Sequence, residues 1–358
     1  MKTGITNKRR RRMRRIGLPV LFLLGMAVLL AACGSAADEA QTSGQKEAAS
    51  GTSGSTTAAS ATPAAAAEDA AQPTAAAAEV TPAYPLQVTD ELGHEVMIPA
   101  KPARIFAPSM EDSLVALGIK PVLQWSNGVQ PQQYLQASLS DVPQVSFASG
   151  APSMEAVLAA KPDLILLHNA YYGENGLYEQ YAKIAPTYVF QNASDDWNRS
   201  LQTLGQLLGE TGKAEQAAKS YADKAQAAKA KLAGLLQGKE AAIIRFNAKG
   251  MFFLNGERYS GYVLAHDLGL AESSLVAGGA FEVSLEALPE LDADYVFLVN
   301  DGHQGDAYLN QLQESKIWQS MPAVQQGRVY TTNSDYWLSG GLIAQSKVID
   351  DVQGFLQP

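Results

Sequence analysis

The chain has 358 residues, with 27 Lys and Arg against 36 Asp and Glu and a single cysteine. One cysteine excludes an intrachain disulfide, and its place at position 33, ahead of the folded body, excludes thiol catalysis there. Eight of the 27 basic residues fall in the first fifteen positions and every acid follows Cys33, so the rest of the chain carries 19 bases against 36 acids, a balance that argues against nucleic acid and against peripheral binding to anionic lipid.

In chain order, a basic segment at 8–15 leads into an apolar run at 16–32 that Pro19 and Gly25 interrupt. Seventeen residues are marginal for a spanning helix, so residues 1–32 read as a signal peptide. Its end, Leu30-Ala31-Ala32-Cys33-Gly34, resembles a bacterial lipobox, which predicts lipid on Cys33 and anchoring to the outer face of the cytoplasmic membrane. From Gly34 to Tyr84 the chain is Ala, Ser, Thr, Gly, Gln and Pro, too poor in large apolar residues to order itself. Residues 33–84 therefore read as a lipidated tether with a reach of roughly 40 Å.

The folded region begins with an entry hairpin over 88–98. A strand at 104–107, a helix at 110–117 and a second strand at 120–124 read as a βαβ unit. Helices at 155–160 and 177–184 alternate with buried strands at 164–168 and 187–190, which predicts a mostly parallel sheet with helices on both faces. Asp195 or Asp196 caps a helix that ends at Leu208-Gly209. A long helix from 213 to 236 follows, with apolar spots at Ala217, Tyr221, Ala225, Ala228 and Leu232. Beyond it, strands at 241–246 and 251–254, a helix near 262–268, a strand at 329–331 and a terminal helix from Leu342 form a second αβ region. The fold class expected is α/β, two αβ lobes joined by one long rigid helix. The divisions are 85–211 for the first lobe, 212–237 for the helix and 238–358 for the second lobe.

One passage occurs twice. Ser153-Met-Glu155-Ala-Val-Leu-Ala-Ala-Lys-Pro-Asp163 aligns without a gap on Ser284-Leu-Glu286-Ala-Leu-Pro-Glu-Leu-Asp-Ala-Asp294, and an apolar strand follows each copy. Each reads as a serine cap, about two helical turns, an Asp-marked corner and a buried strand. The glutamates stand two residues after the serine, whereas a capping box wants the acid where Ala156 and Ala287 stand. An acid in a first turn complements the helix dipole by about 0.3–1 kcal/mol. The same acid in both halves points further, to a surface the lobes present together.

The entry segment Asp90-Glu-Leu-Gly-His-Glu-Val-Met-Ile-Pro99 and the downstream Lys101-Pro-Ala-Arg-Ile105 resemble iron-siderophore ABC-transporter substrate-binding lipoproteins. So do Leu117-Gly-Ile-Lys-Pro121, Lys161-Pro-Asp-Leu-Ile165 and Trp318-Gln-Ser-Met-Pro-Ala-Val324. The resemblance covers residues 85–358 and implies two lobes on one helix, a monomer, and delivery to an ABC permease dimer with its ATPase subunits. It also implies that Glu155 and Glu286 dock on that permease. The implied cargo is Fe(III) already wrapped by a siderophore, so no cofactor and no protein ligands to the metal are expected, and a hydroxamate-type chelator is the expectation adopted.

An aromatic, moderately polar cleft at strand carboxyl ends is the site to seek. Trp197 and Arg199 begin a helix there, as cleft residues or as core staple and solvated charge. Arg245, inside an apolar strand, either meets an internal acid or faces the ligand. Trp125, Tyr171, Tyr172, Tyr259, Tyr336 and Trp337 stand in expected loops as rim packing or stacking surface, and Met110 opens the first helix at the cleft end. Haem held by Met110 and His303 is a second ligand reading, cobalamin and a metal-free catecholate are a third and a fourth, and bare Fe(III) on Tyr171 and Tyr172 is a fifth. An extracellular enzyme is disfavoured. His94-Glu95 lacks a second His at position 98, Leu338-Ser339-Gly340 lacks the leading Gly of a nucleophile elbow, and neither a P-loop nor a dinucleotide pattern occurs.

Overall fold

Strands β1 (Leu86–Thr89) and β2 (Glu95–Ile98) pair antiparallel as the expected hairpin. The buried Asp90 ties its turn to the body: one oxygen accepts from Leu92 N–H at 3.0 Å and His94 N–H at 2.8 Å, the other from Val189 N–H at 3.1 Å. This is a computed structural model, and it describes residues 83–276 and 281–356. The expected signal peptide, the expected lipidation site Cys33 and the expected tether as far as residue 82 lie outside the described residues. Among the described residues no helix is long and apolar enough to cross a membrane.

The first lobe continues with β3 (Ile105–Phe106), α1 (Glu111–Ala116), β4 (Gln124–Ser126), α2 (Gln136–Leu139), β5 (Gln144–Ser146), α3 (Met154–Ala159), β6 (Leu164–Leu167), α4 (Leu177–Ala182), β7 (Thr187–Val189) and α5 (Trp197–Leu208). Three strands form a parallel sheet in the order β3-β6-β7, and β4 pairs in parallel only with β5. The βαβ expectation over 104–124 is corrected here. Pro121 has no N–H for a ladder, the expected second strand touches β3 through a single bond from Val122 N–H to Ile105 C=O at 2.8 Å, and pairing begins only at Gln124. Asp196 caps α5 by accepting from Arg199 N–H, and Gly209, at φ 66°, supplies the left-handed residue that ends it.

The long helix, α6 (Thr211–Leu236), buries Ala214, Tyr221, Ala225, Ala228, Leu232 and Leu236 at helical spacing. Ala214 packs into the first lobe's core, while Tyr221 to Leu236 pack with the second lobe's sheet and terminal helix. The helix is therefore a joint seated on both lobes, with most of its length on the second.

That lobe contains β8 (Glu240–Asn247), β9 (Gly250–Leu254), α7 (Tyr259–Tyr262) continued by a π turn at Val263–Asp267, β10 (Ala271–Glu272), β11 (Phe281–Val283) and a 3₁₀ segment, Leu285–Glu290. Then come β12 (Tyr295–Asn300), α8 (Asp306–Glu314), α9 (Lys316–Ser320), α10 (Pro322–Gln325), β13 (Val329–Thr332), α11 (Ser334–Trp337) and α12 (Leu342–Leu356). Its six-stranded mixed sheet runs β11-β9-β8-β12-β13, with β10 beside β8.

The duplicated passage folds in duplicate, with one difference. Asp163 N–H donates to Arg104 C=O at 2.8 Å while its carboxylate accepts from Arg104 N–H, also at 2.8 Å; Asp294 repeats both bonds with Glu240, at 2.9 and 3.0 Å. In each lobe the aspartate thus fixes the amino end of a central strand against its neighbour. Seven positions from each serine follow one order of exposure, with Val157 and Leu288 as the buried members. The second copy, however, is 3₁₀ where about two α-helical turns were expected, because Pro289 removes an N–H inside it. Ser284 also makes no cap bond there, whereas Ser153 accepts from Ala156 N–H.

Candidate functional site

Between the lobes lies a cavity of about 350 Å³. Most of its lining follows the carboxyl end of a parallel strand: Ser109 and Met110 after β3, Asn127 after β4, His168 after β6, Ala193 and Ser194 after β7. From the second lobe come Arg245 near the end of β8, Asp301 and Gly302 after β12, and Ser334 and Asp335 after β13. In a parallel sheet this edge is where loops are free to meet a ligand, and here two such edges face one space.

The aromatic surface comes from Trp125, Tyr134, Trp197 and Tyr259, all partly buried. Trp197 packs against both lobes' cores and meets the Tyr221 ring edge-on at 4.8 Å, so it is core staple and cavity wall at once. Tyr259 holds a left-handed backbone at φ 53°, uncommon for a bulky side chain, at the first position of α7. Met110, 3 % exposed, closes the floor.

Two polar groups set the chemistry of the walls. Arg245 both lines the cavity and pairs with Asp301, so the internal-acid and cleft-facing alternatives for this residue coincide. On the opposite wall, burial holds the His168 imidazole down to about 4, so it is neutral at physiological pH, and its Nε2 lies 2.8 Å from the Asn169 amide.

The lobes are stitched beside this space. Asp112 accepts from Ile343 N–H and Ala344 N–H, both at 2.9 Å, capping the start of α12 from the other lobe, and from the Tyr134 hydroxyl at 2.9 Å. Tyr134 N–H in turn donates to Asp335 at 2.6 Å. Gly341 is required at this seam, since a Cβ would collide with the Asp112 carboxyl group. Asp112, Tyr134, His168 and Asp335 were not singled out for the cleft from the sequence. Their local signal was a run of polar residues at the start of a helix or loop, which does not distinguish a cleft from a solvated turn.

Of the residues expected at the cleft, Trp125, Trp197, Arg245, Tyr259 and Met110 line the cavity, and five lie elsewhere. Arg199 pairs with Glu91 at 2.6 Å on a half-exposed surface. Tyr172 packs on His168 and Phe147 in the first lobe's second core, and Tyr171 is exposed beside it. Trp337 is wholly buried against Phe297, and its indole N–H and the Tyr336 hydroxyl both donate to Asp351 at 2.8 Å. The loop position of Tyr336 and Trp337 is thus a short helix, α11, whose rings turn into the core. His303, the second axial ligand of the haem reading, is 88 % exposed and outside the cavity that Met110 lines.

Glu155 and Glu286 are exposed, and each is held below the usual carboxylate range first by its own serine, Ser153 or Ser284. Segment α3 begins after β5, and the 3₁₀ segment begins after β11, which runs parallel to β8 through their common partner β9. Both glutamates therefore stand at the carboxyl edge of their own lobe's sheets, the edge that carries the cavity.

Comparison with known proteins agrees with this architecture. The chain is 30% identical over 275 residues to the iron(3+)-hydroxamate-binding protein YxeB of Bacillus subtilis, covering 73% of this chain and 82% of that one. It is 25% identical to the probable siderophore-binding lipoprotein YfiY of the same organism, over 78% of this chain and 90% of that one. The crystal structure of Staphylococcus aureus SirA complexed with staphyloferrin B superposes with a TM-score of 0.65 at 26% identity, covering 76% of this chain and 98% of that one. Residues 107–336 match the model of the periplasmic binding proteins, and with two lobes, a helical joint and a cleft at the strands' carboxyl edges, the chain belongs to that family.

Proposed function

We propose that this chain is the extracytoplasmic receptor of an ABC importer and that it captures Fe(III) already wrapped in a siderophore of hydroxamate type. The observation that carries the reading is the cavity at the carboxyl edges of both lobes, with indole and phenol rings beside one paired guanidinium, in a chain similar over most of its length to a protein named for binding iron(3+)-hydroxamate. A chelated ferric ion brings its own coordination shell, so the cleft has only to supply aromatic surface and a few oriented polar groups. Trp125, Trp197, Tyr259, Arg245 and Met110 are the residues we assign to that contact.

Glu155 and Glu286 dock the loaded receptor on a permease dimer whose ATPase subunits supply the energy. Their support is the repeated exposure, the repeated serine bond and the shared sheet edge. Lipid on Cys33 and the 33–84 tether hold a monomeric body at the outer face of the membrane, where local concentration favours the encounter. The body divides at 85–211, 212–237 and 238–358, and it carries its ligand unchanged rather than acting on it.

Intrinsic fluorescence tests the reading. Ferric trihydroxamates quench the four tryptophans in a saturable titration, and replacing Trp125 and Trp197 with Phe removes most of the quench, whereas Trp318→Phe leaves it. An unquenched titration across hydroxamates, catecholates and ferric citrate would refute siderophore capture.

A further inference from the structure

The cavity has one cation, Arg245, and that cation already has a partner in Asp301 on its own wall. Asp112 and Asp335 line the same space. Both oxygens of Asp112 receive N–H donors and one also meets the Tyr134 hydroxyl, while Asp335 receives Tyr134 N–H, so both carboxyl groups are held in place as acceptors. Burial pushes both pKa values upward and the donated bonds oppose it.

A second cavity of about 410 Å³ shares Ser194, Trp197 and Tyr259 with the first. It repeats the sign. Asp195, Asp196, Glu257 and Asp267 line it, and its one arginine, Arg258, pairs with Asp195 at 3.0 Å. Among the described residues no lysine lines either cavity, both arginines have carboxylate partners, and the histidine is neutral.

We infer that the cleft selects its ferric chelate by charge, accepting complexes that are neutral or cationic and rejecting anionic ones, and that Asp301 determines this by neutralising the charge of the Arg245 guanidinium that borders the ligand. Three hydroxamates cancel the charge of Fe(III), and an appended amine makes the complex a cation. Carboxylate and catecholate complexes remain anions, and an anion entering this space would meet carboxylates with no free cation to offset its desolvation. The inference rests on the siderophore reading above and narrows it to a charge class.

The test uses one iron core with three charges: a linear ferric trihydroxamate bearing a free amine, its N-acetyl form and its N-succinyl form, with ferric citrate as a fourth probe. Each is titrated by tryptophan quenching at low and high salt. The expected order is amine, then acetyl, then succinyl, with the ends separated by about tenfold or more at low salt and the gap closing as salt screens it. Asp301→Asn, which frees Arg245, should improve succinyl and citrate binding and compress the series to within about threefold. Equal binding of the three hydroxamates, or preference for the succinyl form or citrate, overturns charge selection and leaves siderophore capture standing. Silence from all four probes takes both down. The wild-type series and its salt dependence decide the matter even where Asp301→Asn fails to fold.

Discussion

Glu111, which is buried, and His168, which is half-buried, are two titratable groups in the first lobe with opposite effects on pH-dependent stability. Burial raises the Glu111 carboxyl from 4.5 to about 7 although its Oε1 accepts from Trp125 N–H at 2.6 Å. Between those values the folded chain keeps a proton that the unfolded chain releases, so stability falls as pH rises through that window. His168 is held from 6.5 down to about 4. There the unfolded chain binds the proton that the fold refuses, so stability rises with pH over nearly the same range. The two slopes oppose each other in the native chain. Thermal melts from pH 4 to 8 should therefore separate them: Glu111→Gln melts higher above pH 7 and keeps the loss in acid, while His168→Gln removes the acid loss and keeps the decline towards pH 7. At this scale the sequence is least informative. Asp112 is covered by the start of α12, 231 positions away, and Glu111 lies against Trp125 of β4, and no local spacing records either contact. Arg245 was legible because a charge inside Ile243-Ile244-Arg245-Phe246 had to find an acceptor or an edge, and it found both.

Elements with a strong period were legible, and elements without one were not. Joint helix α6, the hairpin β1-β2, strands β6, β7, β8 and β12 and terminal helix α12 all lie where the apolar pattern places them. Strands β4 and β5, of three residues each, carry no period that can be distinguished from a loop, and α8 to α11 are interrupted by Ser315, Pro322 and Asn333. The duplicated passage was legible as a repeat, yet its second copy departs from α-helix for the single reason of Pro289. The seam between α1 and α12 depends on Gly341 having no side chain. Gly341→Ala should lower stability by about 1–3 kcal/mol, since either the Asp112 carboxyl moves off the α12 amides or the helix start shifts. Urea unfolding checks this; an unchanged midpoint would mean that the cap bonds contribute nothing.

For the whole molecule, two lobes with the same aspartate corner and the same exposed glutamate present a pair of like charges, one at the carboxyl edge of each lobe's sheets. Charge reversal at both, Glu155→Lys with Glu286→Lys, should leave siderophore affinity in solution unchanged and abolish iron uptake by cells that depend on this receptor, with each single reversal intermediate. Uptake that survives the double change would remove the docking role while leaving the cleft as described. Low net contact between exposed charges and their own lobe makes the folding cost of these changes small. The lobes were legible from the repeat and from α6, but their mutual contact was not, because it is made by residues such as Asp112 and Ile343 that are 231 apart in sequence.

That contact has its own consequence. Ile343, at the start of α12, seats against Leu135, Leu139 and Val142 of the first lobe, while Leu342 packs with both main cores. The chain thus returns in α12 to the half it left where α6 began, like a belt passed through its own buckle. Neither half is a complete building block: severed within α6, the leading fragment would expose a greasy socket and the trailing one an uncovered plug. For anyone grafting a new cleft onto this scaffold, the portable unit is the closed circuit, and a border drawn at the joint alone would cut through a fastening.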